Sequence, residues 1–389
     1  MTAVTNIPVV PKASRAERFT SYNVDAFEVP AGREEDWRFT PLRRLRGLHS
    51  GVTATGAASV QVDAAPEVTV ETVGRDDERI GAGGVPGDRV AAQAWSSFTE
   101  ATVLTVPRET VATAPTLVTV TGPGAGQTGY GHLQLRAERF ADAVVVVDYR
   151  GSGTYADNVE LVVADGARLT VVFVHDWADD AVHVAAHQAA LGRDAALRHT
   201  VVTLGGDLVR VSPTMTFTGP GGDVQASGLY FADAGQHLEH RTFVDHAVPN
   251  CRSDVTYKGA LQGDGAHTVW IGDVLIRAAA EGTDTFELNR NLVLTDGARA
   301  DSVPNLEIET GEIAGAGHAS ATGRFDDEQL FYLCSRGIDA ETARRLVVRG
   351  FFADVVQRIG IDALQDRLMG TIETRLGALP GLEEQEVPA

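Results

Sequence analysis

From about residue 100 the chain is written in short apolar runs separated by turn residues. Thr116–Val120, Val144–Val147, Val159–Val163, Leu169–Val174 and Val201–Leu204 are rich in β-branched side chains and are bounded by Gly, Asp and Asn. That is the signature of strands joined by turns. No helical pattern of about 10–15 residues lies between most of them, which argues against an alternating helix–strand sheet. Asp165-Gly166, Asp194 and Gly222-Asp223 mark turns at a repeated interval of 29 residues. A fixed period of this size suggests stacked coils, each unable to bury its apolar face alone. On these residues a parallel β-helix and a β-sandwich both fit.

The flanks read differently. Residues 1–95 mix polar and helix-compatible sequence, with Trp37 and Phe39 in Arg33-Glu34-Glu35-Asp36-Trp37-Arg38-Phe39-Thr40-Pro41 placed to anchor the segment on the main body. Gly81 to Gly87 reads as a mobile loop. Residues 326–379 predict three helices, punctuated by Gly337-Ile338-Asp339 and Gly360-Ile361-Asp362. The glycines can end one helix in the left-handed conformation, and the aspartates can cap the next. Ala343, Val347, Phe351, Val355 and Ile359 give the middle helix one apolar stripe, and Leu364, Leu368, Ile372 and Leu376 give the last another. The domain boundaries expected are 1–95, 96–322 and 323–389.

Charge narrows the function. The formal net charge of −20 disfavours nucleic acid as a partner. Only the first 50 residues lean basic, with eight Lys/Arg against six Asp/Glu. The longest apolar run, Ala143–Val147, is far too short for a bilayer. No signal peptide is evident, and Cys251 and Cys334 are the two cysteines, so a cytoplasmic protein with reduced thiols is expected.

Several local motifs invite chemistry. Gly124-Ala125-Gly126-Gln127-Thr128-Gly129, with Asp148 beyond it, has the glycine spacing of dinucleotide binding, but Leu133 and Leu135 alternate like a strand where a helix should open. A glycine-rich turn is the better reading. No phosphate-binding G-x-x-x-x-G-K-[ST] loop is present. His183 and His187 would share a helix face without the glutamate of a metalloprotease, and His240 and His246 would share a strand face. Cys251 reads mainly as a small buried hydrophobe, and Cys334 as core of a helix.

The segment His237-Leu-Glu-His240, Asp245-His246, Pro249-Asn250-Cys251-Arg252-Ser253, Tyr257-Lys258-Gly259, Asn289-Arg290-Asn291, Asn305-Leu-Glu-Ile308, Gly317-His318 and Leu330 to Gly337 resembles the SufB/SufD family, scaffolds of bacterial iron–sulfur cluster assembly. The chain is closer to the SufD branch, being short and poor in cysteine. The resemblance implies a mainly β fold, a right-handed parallel β-helix with helical regions at both termini. It also implies a non-catalytic scaffold that pairs with a SufB-like subunit and docks a SufC-like ABC ATPase, with pairing of two copies as the alternative assembly of the isolated chain. No cofactor is expected to stay bound to the chain alone. A transient iron–sulfur cluster is expected in the complex, and flavin binding is left open.

By the same resemblance His318, read as following a final strand at 305–309, is the residue for transient metal or cluster contact at the SufB interface, with Cys251 a weaker candidate. Many members read Cys-Ser-His where this chain has Ala316-Gly317-His318, so a thiolate is missing. Arg336, Arg349 and Phe352 are the candidates for docking the ATPase. A polysaccharide lyase or hydrolase on a β-helix is the competing reading.

Overall fold

The computed structural model describes residues 18–325 and 327–377. The chain enters through short 3-10 turns at Val24–Ala26, Leu42–Leu45 and Leu48–Ser50. It continues through β1 (Ser59–Asp63), β2 (Thr69–Val73), helix α1 (Arg89–Ser97), β3 (Ala101–Val106), β4 (Thr116–Thr121), β5 (Thr128–Ala137) and β6 (Asp142–Gly151). Then follow β7 (Thr154–Val163), β8 (Arg168–Trp177), β9 (Val182–Leu191), β10 (Ala196–Thr203), β11 (Leu208–Phe217) and β12 (Asp223–Ala232). The last rungs are β13 (His237–His246), β14 (Arg252–Leu261), β15 (His267–Ile276), β16 (Asp284–Val293), β17 (Arg299–Ile308) and β18 (Gly315–Arg324). Helices α2 (Asp327–Cys334), α3 (Ala340–Arg358) and α4 (Asp362–Leu376) close the described chain.

Alternate strands go to alternate sheets. One nine-stranded sheet runs β1-β4-β6-β8-β10-β12-β14-β16-β18 and the other β17-β15-β13-β11-β9-β7-β5-β3-β2. From β3 and β4 onward every pairing is parallel, so the two sheets are the walls of a β-solenoid. The expected β-helix is therefore present, and the spaced aspartates lie at its corners: Asp165 and Asp194 in turns, Asp223 at the start of β12. The first end is blunted by two five-residue antiparallel strands, β1 on β4 and β2 on β3. Short edge strands limit adventitious pairing.

Period-two alternation puts every second side chain inside, and register partners on neighbouring parallel strands point the same way. The interior is thus built of columns. Two of its glycines are required by close approach: a Cβ on Gly228 would lie 2.0 Å from the Tyr257 ring, and one on Gly259 would lie 1.9 Å from the Tyr230 ring. Each glycine on β12 or β14 makes room for the tyrosine opposite it on the other strand.

The outer faces are covered by the two termini. Helices α3 and α4 bury Val348, Phe352, Val355, Ile359, Leu364, Leu368 and Ile372 against Val172, Val202, Leu229 and Phe231 of the even-numbered sheet. Lys258 on β14 donates to Asp354 at 2.7 Å and to the Phe351 carbonyl at 2.9 Å, pinning α3. On the other sheet Trp37, Leu45, Leu48, Val90 and Ala94 pack over Ala156, Val182, Val184 and Leu208. Trp37 is the anchor its sequence suggested, with the Arg210 guanidinium 3.9 Å from its ring centre. The Gly81–Gly87 segment, expected to be mobile, is held: the buried Glu160 carboxylate accepts from the Gly81 and Gly83 amides at 2.8 and 2.7 Å.

The C-terminal punctuation is half as expected. Gly337 and Gly360 take positive φ of 86° and 69°, and Asp339 caps α3 by accepting from the Thr342 amide. Asp362 does not cap; it is the first residue of α4. The α3 stripe is buried as expected at Ala343, Val355 and Ile359, but its middle shifts to the adjacent row, because it must face a sheet as well as a neighbouring helix: Val348, Phe352 and Val356 are buried, and Val347 and Phe351 only half so.

Candidate functional site

The last rung leaves the solenoid open. Among the described residues β17 pairs only with β15 and β18 only with β16, so two ten-residue strands each present an unpaired backbone edge at the same end. A long, parallel, unpaired edge is a template for another strand. His318 lies on β18, in register with Glu287 of β16, and its side chain is exposed. It therefore sits within a final strand, which corrects the reading that the last strand ends near residue 309; the alternation of Ala, Gly and Ser in 315–320 carries almost no hydrophobic signal, so the strand was invisible in the sequence.

Beneath His318 is an unusual acid. Glu287 is 1% exposed, and neither carboxyl oxygen finds a partner among the described residues. Burial, reinforced by Asp273, pushes its pKa up to about 8, so it is largely protonated at neutral pH. Gly272 makes room for it: a Cβ there would lie 2.4 Å from the Trp270 ring and 2.6 Å from a Glu287 oxygen. Beside this acid a satisfied network ties the open rung to the core. Tyr230 donates to Asn291 at 2.7 Å and accepts from Asn289 at 2.9 Å, while Asn291 reaches Ser302 of β17 at 2.9 Å and Thr322 of β18 at 3.3 Å.

Cys251 is not brought to this site. It is fully buried at the corner before β14, with its thiol directed at the Gly219 and Pro249 carbonyls, and burial raises its pKa. Such a thiol is a packing group rather than a thiolate ligand. Cys334, expected in the core, is only half-buried on α2. Both cysteines are free. Among the described residues no group of three or more His, Cys, Asp or Glu is placed to hold a metal ion. No described helix is long and apolar enough to cross a membrane.

The other sequence candidates resolve cleanly. Gly124–Gly129 leads into β5, not a helix, so no dinucleotide fold is present. His183 and His187 lie on β9 and point inward. His183 donates from Nε2 to Asp157 at 2.9 Å and accepts at Nδ1 from Trp177 at 3.1 Å, and His187 meets His199 at 2.9 Å. His240 and His246 share the inner face of β13 as their even spacing required, and burial drives their pKa values to about 3 and about 4. These are neutral structural imidazoles.

The docking candidates divide. Phe352, expected to face a partner, is fully buried against the sheet, a correction that follows from the sheet-facing side of α3 extending beyond the expected stripe. Arg349 is exposed and pairs with Glu373 of α4 at 3.2 Å. Arg336 is exposed at the end of α2 and covers the Tyr332 ring at 4.5 Å. The sequence reading missed Phe331 and Tyr332, 70% and 54% exposed, and Leu346 at 47%. Their signal was present: an aromatic pair in an eight-residue helix too short to bury both faces.

A family model described as SUF system FeS cluster assembly, SufBD core domain, matches residues 119–351. The chain is 63% identical over 381 residues to an iron-sulfur cluster assembly SufBD family protein of Mycobacterium bovis, covering 96% of each. It is 62% identical over 370 residues to a protein of the same description from Mycobacterium leprae, covering 93% of this chain and 94% of that one. It is 27% identical over 194 residues to the iron-sulfur cluster assembly protein SufD of Escherichia coli, half of this chain and 45% of that protein.

Proposed function

The chain belongs to the SufBD family of iron–sulfur cluster assembly proteins, and from that premise we propose that it is the SufD-like scaffold of a three-component complex. In this reading β17 and β18 pair with the corresponding edges of a SufB-like subunit, and the closing helices dock a SufC-like ATPase. The chain turns over no substrate itself. The unpaired ten-residue edge carries the proposal, because it supplies two adjacent rows of free amides and carbonyls on a rigid frame. The nascent cluster is cargo held at that junction. His318 is exposed on the edge strand and offers a borderline nitrogen ligand for iron, while thiolates come from the partner, since neither Cys251 nor Cys334 lies on β17 or β18. The exposed Phe331, Tyr332, Arg336 and Leu346 supply an aromatic and guanidinium surface of the kind that anchors protein interfaces.

Helices α3 and α4 are tied to the solenoid wall by Lys258–Asp354, Arg358–Asp254, Arg367–Asp148 and Arg375–Asp233. A torque applied at the helices by a nucleotide-driven partner would thus reach the strands as rigid-body motion. Co-expression with SufB- and SufC-like partners should give a complex that co-purifies in near-stoichiometric amounts and carries iron and sulfide. His318→Ala should leave the complex intact and lower its cluster content severalfold. Absence of a complex would refute the assignment as a scaffold; a complex with unchanged cluster content in the variant would refute the role of His318.

A further inference from the structure

A hydrogen-bonded chain crosses the outside of the odd-numbered sheet, from the N-terminal anchor to the open edge. Thr40 donates to Glu239 on β13 at 2.7 Å. Glu239 is met by His237 Nε2 at 3.1 Å, and His237 Nδ1 faces His267 Nδ1 of β15 at 3.1 Å. His267 Nε2 then reaches Asp301 of β17 at 2.7 Å.

Counting protons along this chain gives a result the other histidine pairs do not. Burial alone would raise the pKa of Glu239, but Arg210, with help from His237 and Arg241, holds it well below the usual carboxylate range. Asp301, opposed by burial, is likewise held low by Arg299 and His267. Both carboxylates are therefore ionised and can only accept. Each histidine must then carry a proton on Nε2. Two neutral rings in that tautomer would turn two Nδ1 lone pairs on each other at 3.1 Å. The contact is a hydrogen bond only if one Nδ1 is protonated as well. At His175 and His183 no such demand arises: His183 Nε2 donates to Asp157, and its Nδ1 lone pair already accepts from the Trp177 indole at 3.1 Å, with His175 Nδ1 beside it at 3.2 Å. Both of those rings can be neutral.

We propose that His237 and His267 share one proton more than two neutral imidazoles carry, and that this proton ties edge strand β17 to the N-terminal segment. The two flanking carboxylates compensate the single positive charge. Burial first, and the neighbouring His237, hold the pKa of His267 below its ordinary value. The other charged groups around the pair act through its two carboxylates: Arg210 on β11 and Arg241 on β13 pair with Glu239, Arg299 on β17 pairs with Asp301, and Asp88 and Asp36 of the N-terminal region pair in turn with Arg210 and Arg241. Loss of the proton at rising pH would set two lone pairs against each other and break the chain at the His237–His267 contact, so that β17, still held to His267 through Asp301, loses this link to the N-terminal anchor. The link is full at acidic pH and is lost as pH rises through the titration of the pair.

The test uses the full chain alone, so its outcome is independent of any partner. Proton–nitrogen correlation spectra of protein labelled at histidine, with the pair assigned from His237→Gln and His267→Gln, should show one ring protonated at both nitrogens at about pH 6 and neither at about pH 9. Over the same range amide exchange in residues 299–308, corrected for the intrinsic pH effect, should rise about tenfold, while residues 284–293 stay unchanged. Asp301→Asn keeps both rings and removes one carboxylate, so it should move the titration to lower pH without unfolding the chain. Two neutral rings at about pH 6, or β17 exchange that follows pH identically in His267→Gln, would overturn the proposal.

Discussion

Glu239→Ala should destabilise the chain by about 3–5 kcal/mol, the usual cost of stranding a buried charge. Arg210 lies across from it with a side chain only 2% exposed, and arginine does not escape by losing its proton. With Glu239 gone, Arg210 keeps the Asp36 carbonyl at 2.8 Å, the Thr40 hydroxyl at 2.6 Å and Asp88 at 3.9 Å, but no close carboxylate. His237 and Thr40 lose their acceptor at the same time. Replacing both members, as Arg210→Met with Glu239→Leu, should recover much of the loss, because an apolar pair leaves no unpaired charge. The pH dependence has a definite sign. The pKa of Glu239 is depressed in the folded chain, so its contribution is complete above the ordinary carboxylate value of 4.5 and fades as pH falls below it. Urea unfolding of the parent and Glu239→Ala should therefore differ most at neutral pH and converge in acid. Equal midpoints at neutral pH would show that the pair holds nothing together.

Gly259→Ala is the second large effect. The added methyl would meet a Tyr230 ring that is fully buried and fixed at its hydroxyl by Asn289 and Asn291. Overpacking of this kind costs about 1–3 kcal/mol. Here the ring cannot turn away without breaking the asparagine network that reaches Ser302 on β17 and Thr322 on β18. The damage should spread to the open end, and exchange in 299–308 and 315–324 should rise with it. Gly228→Ala makes the mirror-image contact with Tyr257, whose hydroxyl has no partner among the described residues, so that ring has less to lose by moving. Thermal unfolding should rank Gly259→Ala below Gly228→Ala. The reverse order would show that the asparagines do not hold the tyrosine.

These contacts mark where the sequence stops being readable. The strands and corners were legible because β-branched runs and spaced turns are local signals, but a β-sandwich fitted them as well and only the family resemblance pointed to the solenoid; the shared face of His240 and His246 was legible too, since it needs only the period of a strand. Strand β18 was not legible, since Gly315-Ala-Gly-His-Ala-Ser has no apolar alternation and is ordered by its neighbour β16. The α3 stripe was legible at Ala343, Val355 and Ile359 but not in its middle, because Phe351 and Phe352 are equivalent in hydrophobicity, and the sheet beneath decides which is buried. The unpaired acid at Glu287 and the chain from Thr40 to Asp301 join residues up to 261 positions apart, and no spacing rule brings them together. The family resemblance supplied His318; it did not supply what lies beneath it.

In the proposed assembly the open end, not the capped end, receives the partner. Hydrogen exchange of the chain alone and in the presence of the SufB-like subunit proposed as its partner tests this directly. The account predicts strong new protection in β17 and β18, residues 299–308 and 315–324, with β1 and β2 unchanged. Protection confined to β1 and β2, or to the outer faces of the sheets with β17 and β18 still exchanging freely, would contradict it.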